Sequence, residues 1–432
     1  MKKIIKSVML LILVSVLSLS IVACKTTARL STATHALNNV SYTPNQNYTL
    51  ESSFYDKLRK SSYHIYDLIS EEAEENGENF VASPLSIYMA FALLDYISDE
   101  ETKSEISEFL NLSEEDILQA GELFKCVERA SAYSNKEICK VSLTNSIWMD
   151  KDQGYEYNQE VLDSLASVFY CYGYESSFSK NNKKANDDIR KFIKNNTNGL
   201  IDRSFDLDER TLFALINTLY FKDNWLFDGD ELDTESKKFY LEASDVLCEY
   251  LYGKYVSGVA VEDEIASTMY TETSHGYKLR FIVPKDGHTL KEAMEADYLY
   301  NLTSMRHEAV EEDPYVSHAT RTIFPIFNAK GKVDVKSILM SKNMLGHTFS
   351  GHNTNLVNTQ VYVSNILHDA VLKVDKKGVE GAAVTIVAEN SKDAGFFGTV
   401  YHDFLVDRPF GFILSTREGV VLFMGQITNP LK

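Results

Sequence analysis

Residues 376–385 read Lys376-Lys377-Gly378-Val379-Glu380-Gly381-Ala382-Ala383-Val384-Thr385, and the last seven have the pattern of a β-strand where a loop is expected. Turn-forming residues precede the stretch, and a polar, glycine-containing run over 389–398 follows it. Counting by twos places Val379, Gly381, Ala383, Thr385 and Val387 on one face, and none of them is charged. One face can therefore be buried while the other, which begins with Glu380, tolerates water. Taken alone, this is the pattern of an ordinary strand of small residues.

Length and composition describe an acidic chain that can build a large core. At 432 residues it exceeds the usual size of a single domain, so two domains or one large domain are the starting options. Apolar residues make up 44% and aromatic residues 12% of the chain, which is enough for a substantial core. The net charge of −19 argues against nucleic acid or an anionic membrane as the main partner, because phosphate groups are bound by clustered Lys and Arg.

The first 23 residues have the pattern of a signal peptide. A basic start with three lysines leads into an apolar stretch over 8–22 and then into Ala23-Cys24. This looks like a bacterial lipobox, and the resemblance implies cleavage before Cys24 and a lipid on its thiol; a plain signal peptide or a membrane anchor is the alternative. The apolar stretch is short for a spanning helix of about 20 residues. Removing residues 1–23 leaves 40 basic and 62 acidic residues, a net charge of −22. An exported protein held by lipid at the outer side of a bacterial membrane is expected.

Residues 24–52 are rich in Thr, Ser, Asn and Ala, which is typical of a tether between the lipid anchor and a folded domain. Four further cysteines lie at 126, 139, 171 and 248. None has the C-x-x-C spacing of a zinc site, so no metal or cofactor is expected. Cys126 and Cys139 could pair in an oxidising compartment, although free buried thiols are the simpler interpretation.

Ordered structure is predicted from residue 53 onward as one domain, because no Pro- or Gly-rich linker divides the chain after that point. An amphipathic helix begins near Phe54, and Ser83-Pro84 predicts the start of a second, apolar helix, with serine as its cap. Residues 211–221 have the β-rich composition of a buried strand. Further strands are predicted at 278–284, 322–327, 360–363, 409–415 and 420–427. Helices dominate the first half and strands the second, which indicates an α+β fold with large sheets.

Five motifs, in the same order and with the same spacing, make residues 53–432 resemble the serpins, the serine protease inhibitor family. The motifs are Asn79 to Leu94 with Ser83-Pro84-Leu85-Ser86-Ile87; Asn217-Thr218-Leu219-Tyr220-Phe221-Lys222-Asp223-Asn224-Trp225; Tyr362-Val363-Ser364-Asn365-Ile366-Leu367-His368; Lys373-Val374-Asp375 leading into Gly378; and Asp407-Arg408-Pro409-Phe410 with Leu422 to Pro430. The second motif departs from the family at Asp223, where a glycine is usual. The resemblance implies three β-sheets with a large central sheet, about eight to nine helices and an exposed reactive-centre loop over about 376–403.

The resemblance also implies a polar cluster beneath the central sheet, made of Ser83, Ser86, Asn217 and His368, with Trp225 near the top of the same opening. Buried polar groups must find partners. In the family this cluster governs whether two strands can part. Core packing alone is the other explanation for His368 and Trp225.

The implied activity is inhibition by a suicide pseudo-substrate, so the chain would be no enzyme but a protein consumed on cleavage. A protease cuts the reactive loop, and the segment 378–391 enters the central sheet before the acyl-enzyme is hydrolysed. We define the hinge as Gly378 to Thr385, the part of the loop that would enter first. Compared with the family, Lys376 replaces Glu, Val379 replaces Thr or Ser, and Gly381 replaces Ala. Glu389 has the parity of the buried face, which opposes complete insertion.

The residues offer two candidate scissile bonds. Counting forward from Gly378 by the usual loop length gives Lys392-Asp393, which suits a trypsin-like protease. Counting back from Pro409 gives Phe396-Phe397, which suits a chymotrypsin-like protease, and the loop is longer than usual between the two. Lys392 is preferred, although Asp393 after the bond is often poorly accepted.

Other classes of function are less well supported. A non-inhibitory serpin, acting as a binding or structural surface lipoprotein, is the main alternative. A hydrolase is not indicated, because the chain has no Gly-x-Ser-x-Gly and no His-Glu-x-x-His motif. Heparin binding is not expected, because the region 113–126 contains four acidic residues against one lysine. A monomer that forms a covalent 1:1 complex with a serine protease is expected.

Overall fold

The computed structural model describes residues 34–35, 50–129, 138–226, 230–305, 316–381 and 398–432. These residues form eleven helices and seventeen strands. The helices are α1 Ser52–Glu75, α2 Pro84–Ile97, α3 Glu100–Leu110, α4 Glu114–Leu118, α5 Ala120–Arg129, α6 Gln159–Phe169, α7 Phe178–Asn196, α8 Leu290–Met294, α9 Ala296–Ser304, α10 Val335–Ser341 and α11 Gly346–Ser350.

The strands form three sheets. The strands are β1 Thr34–His35, β2 Phe80–Ala82, β3 Cys139–Asp150, β4 Tyr172–Ser176, β5 Phe213–Asn224, β6 Thr234–Tyr240, β7 Asp245–Ser257, β8 Val261–Glu262, β9 Ala266–Glu272, β10 Lys278–Pro284, β11 Val316–Pro325, β12 Phe327–Asp334, β13 Leu367–Val374, β14 Gly378–Gly381, β15 Gly398–Leu405, β16 Phe410–Ser415 and β17 Val421–Ile427. The central sheet has the order β1-β4-β3-β5-β14-β13-β12. The second sheet is β2-β17-β16-β10-β9-β8, and the third is β15-β11-β7-β6.

The predicted α+β fold with three sheets and a large central sheet is confirmed. The described residues contain more helices than the eight to nine expected, because α4, α8 and α11 have only five residues each, too few to show a helical period in the sequence. The predicted strand at 278–284 coincides with β10. The strand predicted at 322–327 is divided between β11 and β12.

The strand predicted at 360–363 is wrong. Only Val361 in this segment makes a β-bridge, an isolated one with His352, and the neighbouring Tyr362 is 53% exposed. The apolar side chains of Val361 and Val363 gave the segment its strand pattern. Both residues lie in the irregular connection that leads into β13 at Leu367, where Val361 is buried and Val363 packs against the core.

Helix α2 lies beneath the central sheet and fixes the position of the site. The Ser83 side chain accepts a hydrogen bond from the Ser86 N–H (3.2 Å), and Pro84 occupies the first helical position, as predicted. The helix is apolar on nearly all sides, because it packs between β5 and β17. A separate cluster around Trp148 and Phe192 fills the space between α7 and the opposite face of the central sheet. The sheet is therefore covered on both faces near β3 and β5.

The tether over 24–52 was expected to lack secondary structure, but two of its residues form a short strand. Thr34 and His35 pair with Glu175 and Tyr174, and so add a two-residue edge strand to β4. The exposed edge of a sheet offers unpaired N–H and C=O groups, which is why it accepts an extended segment. Residues 1–33 and 36–49, and with them the signal peptide and Cys24, lie outside the described residues.

Candidate functional site

The site begins at a tight turn that joins β13 to β14. The Asp375 N–H donates to the Gly378 carbonyl oxygen (3.0 Å), and the Asp375 carboxylate accepts from the Lys377 N–H (2.8 Å). Gly378 is required by close approach: a Cβ there would lie 2.1 Å from the Asp223 carbonyl oxygen. The chain is thus directed from β13 straight back between β13 and β5.

The first four residues of the hinge form β14, which pairs with a strand on each side. Gly378 to Gly381 pair antiparallel with β5, in the register Gly378 with Asn224 and Gly381 with Phe221. Val379 also pairs with Val374 of β13. The Val379 side chain is 1% exposed, whereas Glu380 is half-buried on the opposite face. For these residues, the buried and the more exposed side chains alternate as the sequence pattern predicts.

Tyr220 holds the outer face of β14. Its hydroxyl donates to Glu380 Oε1 (2.8 Å), and it accepts from Asn198 Nδ2 (3.2 Å). Burial, together with the Glu380 carboxylate, raises the pKa of Tyr220, so the phenol stays protonated and remains a donor. This contact ties the hinge to β5 by a side chain as well as by the backbone.

Trp225 lies at the end of the opening where β14 enters, which we call the upper end. The side chain is fully buried, and its Nε1–H donates to the Asp375 carbonyl oxygen (2.7 Å). Its backbone N–H donates to the Lys377 carbonyl oxygen (2.8 Å), and its ring meets Phe324 edge-on at 5.6 Å. Trp225 is therefore both a core aromatic and a direct partner of the turn that starts the hinge.

Below Gly381, a cavity of about 290 Å³ separates β5 from β13. Within the described residues these two strands have no backbone pairing with each other, since each pairs only with β14 and with its outer neighbour. Residues Phe213 to Asn217 of β5 are only half-buried for this reason. The cavity is lined by α2, β5, α7, β13 and the segment 197–212. It has the position and the two strand edges needed to accept a longer β14.

The floor of this lower end carries the polar residues that the sequence singled out. The Ser83 N–H donates to His368 Nε2 (3.0 Å), and the Ser86 hydroxyl donates to Asn217 Oδ1 (2.5 Å). The Asn217 amide in turn donates to Asn145 Oδ1 (2.7 Å). The structure thus brings Ser83, Ser86, Asn217 and His368 together, and it adds Asn145, whose amide donates to the Phe169 carbonyl oxygen (2.9 Å). These bonds link α2 to both strands that flank the cavity.

His368 is held neutral in this cluster. Burial lowers its pKa to about 4, against a smaller raising effect of the Asp369 carboxylate. Because Nε2 accepts the Ser83 N–H, the neutral ring carries its proton on Nδ1. Protonation of His368 would put a charge in the core and remove the acceptor for Ser83.

An ion pair crosses the outer side of the lower end. Arg203, in the segment that follows α7, makes two hydrogen bonds to the Asp369 carboxylate of β13, from Nε to Oδ2 and from Nη2 to Oδ1. The Asp369 side chain is 9% exposed and that of Arg203 30%. The guanidinium also lies over the Phe205 ring at 4.5 Å. This pair attaches the segment after α7 to β13, and the neighbouring Ile201 and Phe205 of that segment line the cavity.

Several predicted residues lie outside the described residues, and no contact supports or opposes their roles. They are Ala382, Ala383, Val384, Thr385, Lys392, Asp393, Phe396 and Phe397. Lys376, which replaces the usual Glu, pairs with Glu249 of β7 (3.3 Å). Among the described residues, the cysteines at 126, 139, 171 and 248 form no disulfide.

Sequence reasoning missed three residues that the structure adds to the site: Asn145, Tyr220 and the pair partner Arg203. Asn145 and Tyr220 lie in β-strands that contain both polar and apolar residues, so nothing in the sequence distinguishes them from ordinary strand residues. Arg203 lies 166 positions from Asp369 in a connecting segment, and no local pattern links the two. In the motif that contains Tyr220, only the replacement of glycine by Asp223 was visible as a departure from the family.

The three sheets, with the large central one around the hinge strand, form the fold of a serpin. The model of the serine protease inhibitor family matches residues 57–430, and the chain belongs to this family. It is 26% identical over 405 residues to neuroserpin from Homo sapiens, covering 85% of this chain and 90% of that protein. It is 27% identical over 364 residues to a serine protease inhibitor from Cyanea capillata, covering 82% of this chain and 93% of that protein.

Solved structures show the same fold at low identity. The thermophilic serpin tengpin in its native state has a TM-score of 0.71 at 19% identity, with 92% of this chain and 99% of that chain covered. The latent state of tengpin has a lower score of 0.65. A human thyroxine-binding globulin complex has a TM-score of 0.68 at 20% identity, with 88% of this chain and 99% of that chain covered. None of the helices in the described part of the chain has the length and apolar character needed to cross a membrane.

Proposed function

We propose that this protein inhibits serine endopeptidases as a suicide pseudo-substrate. The observation that carries the proposal is the position of Gly378 to Gly381, which lie paired between β5 and β13 directly above a cavity with two strand edges. The family is described by serine protease inhibition, and a relative from Cyanea capillata carries that name. In the proposed function, the strand at the upper end of the opening starts the insertion and the cavity at the lower end receives the rest of the segment.

The chemistry belongs to the target protease. Its serine Oγ attacks the carbonyl carbon of the scissile bond, the peptide C–N bond breaks, and the new amine leaves with the C-terminal part of the chain. The carbonyl remains bound to the protease as an ester. The inhibitor supplies no catalytic group; it supplies a rearrangement that competes with hydrolysis of that ester.

Extension of β14 along its present register gives a specific path for the rearrangement. Continued pairing would place Thr385 opposite Asn217 on β5 and His368 on β13, as follows from the pairs of Val379 with Asp223 and with Val374. Thr385 has the parity of the buried face, so its hydroxyl would arrive at the polar cluster. A small polar residue at this position suits a floor made of hydrogen-bonding groups.

The energy available is sufficient to drive the movement. Loop insertion into a sheet is a known property of the family and releases stored strain. Roughly ten further residues, each adding a hydrogen bond worth about 0.5 to 1.5 kcal/mol, give a total on the order of ten kcal/mol. Glu389 shares the buried parity, so insertion up to residue 388 is easier than insertion beyond it.

The choice of scissile bond decides the class of target. Cleavage at Lys392-Asp393 implies a trypsin-like protease, and cleavage at Phe396-Phe397 implies a chymotrypsin-like protease. We favour Lys392. Trypsin and chymotrypsin, each incubated with the protein, test both: we expect a complex that survives denaturant, and a released C-terminal peptide whose mass locates the bond. Cleavage elsewhere without a covalent complex would contradict both assignments.

A non-inhibitory serpin that acts as a surface binding protein is the second candidate. The similarity to thyroxine-binding globulin, which is described in complex with thyroxine, favours it, as does Gly381, because glycine adds backbone entropy to the hinge. Thermal unfolding of cleaved and intact protein separates the candidates. An inhibitor should gain a strand on cleavage, with a clear rise in Tm, whereas a non-inhibitory member that does not insert should show none.

We further propose export and lipid attachment at Cys24, which would place the domain at the outer surface of a bacterial membrane. The support is the basic start, the apolar stretch and the cysteine of residues 1–24. Mass spectrometry of the N-terminal peptide should show a lipid on Cys24, and the Cys24→Ala variant should lose partition into detergent. An N-terminus elsewhere, without lipid, would overturn this assignment.

A further inference from the structure

We propose that Cys139, Asp223 and His275 form a site for a thiophilic divalent metal ion such as Zn²⁺. Among the described residues, these three offer a thiol sulfur, a carboxylate oxygen and an imidazole nitrogen within 4.8 Å of one another. Sulfur, nitrogen and oxygen ligands of this kind are those that Zn²⁺ binds in proteins. The proposal concerns binding alone and does not depend on protease inhibition.

Three separate elements fix the ligands. Cys139 begins β3 and is the direct cross-strand partner of Asp223 near the end of β5. His275 lies in the turn between β9 and β10, where its N–H donates to Asp223 Oδ2 (3.1 Å). The neighbouring Ser274 N–H donates to the Asn224 carbonyl oxygen (2.8 Å). The backbone therefore holds the histidine against the strand that carries the carboxylate.

The buried carboxylate at position 223 is a departure from the family. Asp223 is fully buried, and it stands where the family strand motif has a glycine. Its Oδ1 accepts from His275 Nδ1 (2.6 Å) and from the Ser274 hydroxyl (3.0 Å). A buried ionised carboxylate is stable only with a strong partner. A divalent ion is one such partner, and the three side chains already converge on the point where it would lie.

The charges balance when a metal is bound. Burial and the adjacent Asp223 carboxylate raise the pKa of the Cys139 thiol, so the thiol is protonated in the metal-free protein. Metal binding would release that proton and leave a thiolate, a carboxylate and a neutral imidazole around a divalent cation, with no net charge. Lys254 lies near the site, and the Asp223 and Glu272 carboxylates both oppose the lowering of its pKa by burial.

The geometry needs only small adjustments. Ligand atoms around a tetrahedral zinc ion lie roughly 3.3 to 3.8 Å apart, given bond lengths of about 2.0 to 2.3 Å. The 2.6 Å separation of His275 Nδ1 and Asp223 Oδ1 is a hydrogen-bond distance, so these groups would move apart by about 1 Å. The neutral ring would carry its proton on Nε2 and offer Nδ1 to the metal. The Ser274 hydroxyl, 2.9 Å from Nδ1, closes the fourth side of the site.

Cobalt spectroscopy tests the site directly. The reduced protein, freed of metal by a chelator, should bind one equivalent of Co²⁺ and develop a thiolate-to-cobalt charge-transfer band, which Zn²⁺ should bleach. Cys139→Ser should lose the band, whereas the matched variant Cys171→Ser, which removes another buried thiol, should keep it. Zn²⁺ should also raise the Tm of the unaltered protein.

Asp223→Gly guards against a folding defect, because it restores the residue that the family motif has at this position. It should fold, as judged by circular dichroism, and bind Co²⁺ roughly ten-fold more weakly or worse. Absence of a charge-transfer band in the unaltered protein would overturn the proposal, and so would a band that persists in Cys139→Ser. In either case the three residues would be a hydrogen-bonded cluster only.

Discussion

At its upper end the opening between β5 and β13 is filled, while at its lower end it is a cavity. The upper end holds β14, bonded on both sides, with Trp225 donating to the turn that starts it. The lower end has a polar floor around His368 and an ion pair between Arg203 and Asp369 on its outer side. The sheet is thus already parted by a strand at one end and bridged by side chains at the other.

This difference indicates where the barrier to insertion lies. Extension of β14 requires no new opening at Trp225, but it must pass the ion pair and reach the polar floor. We therefore expect substitutions at the upper end to change whether the hinge is accepted, and substitutions at the lower end to change stability and the rate of opening.

Val379→Arg should have the largest effect. Val379 is 1% exposed between β5 and β13, and an arginine there would bury an unpaired charge. We expect the yield of denaturant-resistant protease complex to fall roughly ten-fold or more, since burial of an unpaired charge opposes insertion by several kcal/mol. Gel electrophoresis of the protease mixture measures the yield.

The matched control is Glu380→Gln, one position along on the half-exposed face of β14. It should retain most of the complex, and the cleaved protein should keep its rise in Tm. Equal loss in both variants would mean that the hinge parity has no role.

His368→Gln should remove a pH dependence at the lower end. The folded pKa of about 4 lies below the usual 6.5, so the unfolded chain binds the extra proton first. The stability contributed by neutral His368 is complete above pH 6.5 and is lost as the pH falls towards 4. The loss amounts to about 3 kcal/mol of unfolding free energy. Urea unfolding at a series of pH values should show this slope in the unaltered protein and a smaller one in His368→Gln.

The quantity to compare is the difference in pH slope of the unfolding free energy between the unaltered protein and His368→Gln. Burial raises the pKa of Asp95 to about 7, and that group acts in the opposite direction in both of them. Identical slopes for His368→Gln and the unaltered protein would show that His368 is not held neutral by burial.

Arg203→Ala should weaken the bridge over the lower end. It leaves Asp369, whose side chain is 9% exposed, without its bidentate partner. We expect a loss of about 2 kcal/mol in unfolding free energy, between the values for exposed and fully buried pairs. We also expect faster conversion to an inserted form on warming. Urea midpoints and the rate of appearance of a heat-resistant species measure the two effects.

Arg190→Ala is the matched control, because its partner Asp202 is more exposed and keeps a second ion pair with Lys194. It should change the unfolding free energy by less than about 1 kcal/mol. If both variants convert at the same rate, the Arg203 pair does not restrain the opening.

Tyr220→Phe should have the smallest effect. It removes the hydroxyl, which donates to Glu380 Oε1 and accepts from Asn198 Nδ2, and keeps the ring. The expected loss is about 0.5 to 1.5 kcal/mol, confined to β14. Hydrogen exchange should therefore quicken at the amides of β14 and not in β17; a change in both strands would point to a global loss of stability instead.

The fold could be predicted because the evidence for it is local. The cap at Ser83, the apolar helix after it and the apolar runs of β10 and β17 are properties of neighbouring residues. The alternation of faces in the hinge is also a local property, and the structure places Val379 and Glu380 on opposite faces. The segment 360–363 failed because a short apolar run has no period long enough to separate a strand from a buried connection.

The sequence by itself determined the family, the order of its motifs and which hinge residues can be buried, because each depends on residues that are adjacent in the chain. Only the tertiary structure decided that Gly378 to Gly381 lie paired between β5 and β13, that Arg203 bridges to Asp369, and that His275 meets Asp223 from 52 positions away. Such contacts form where distant segments pack against one another. Their energies depend on burial and on partners that no local pattern specifies.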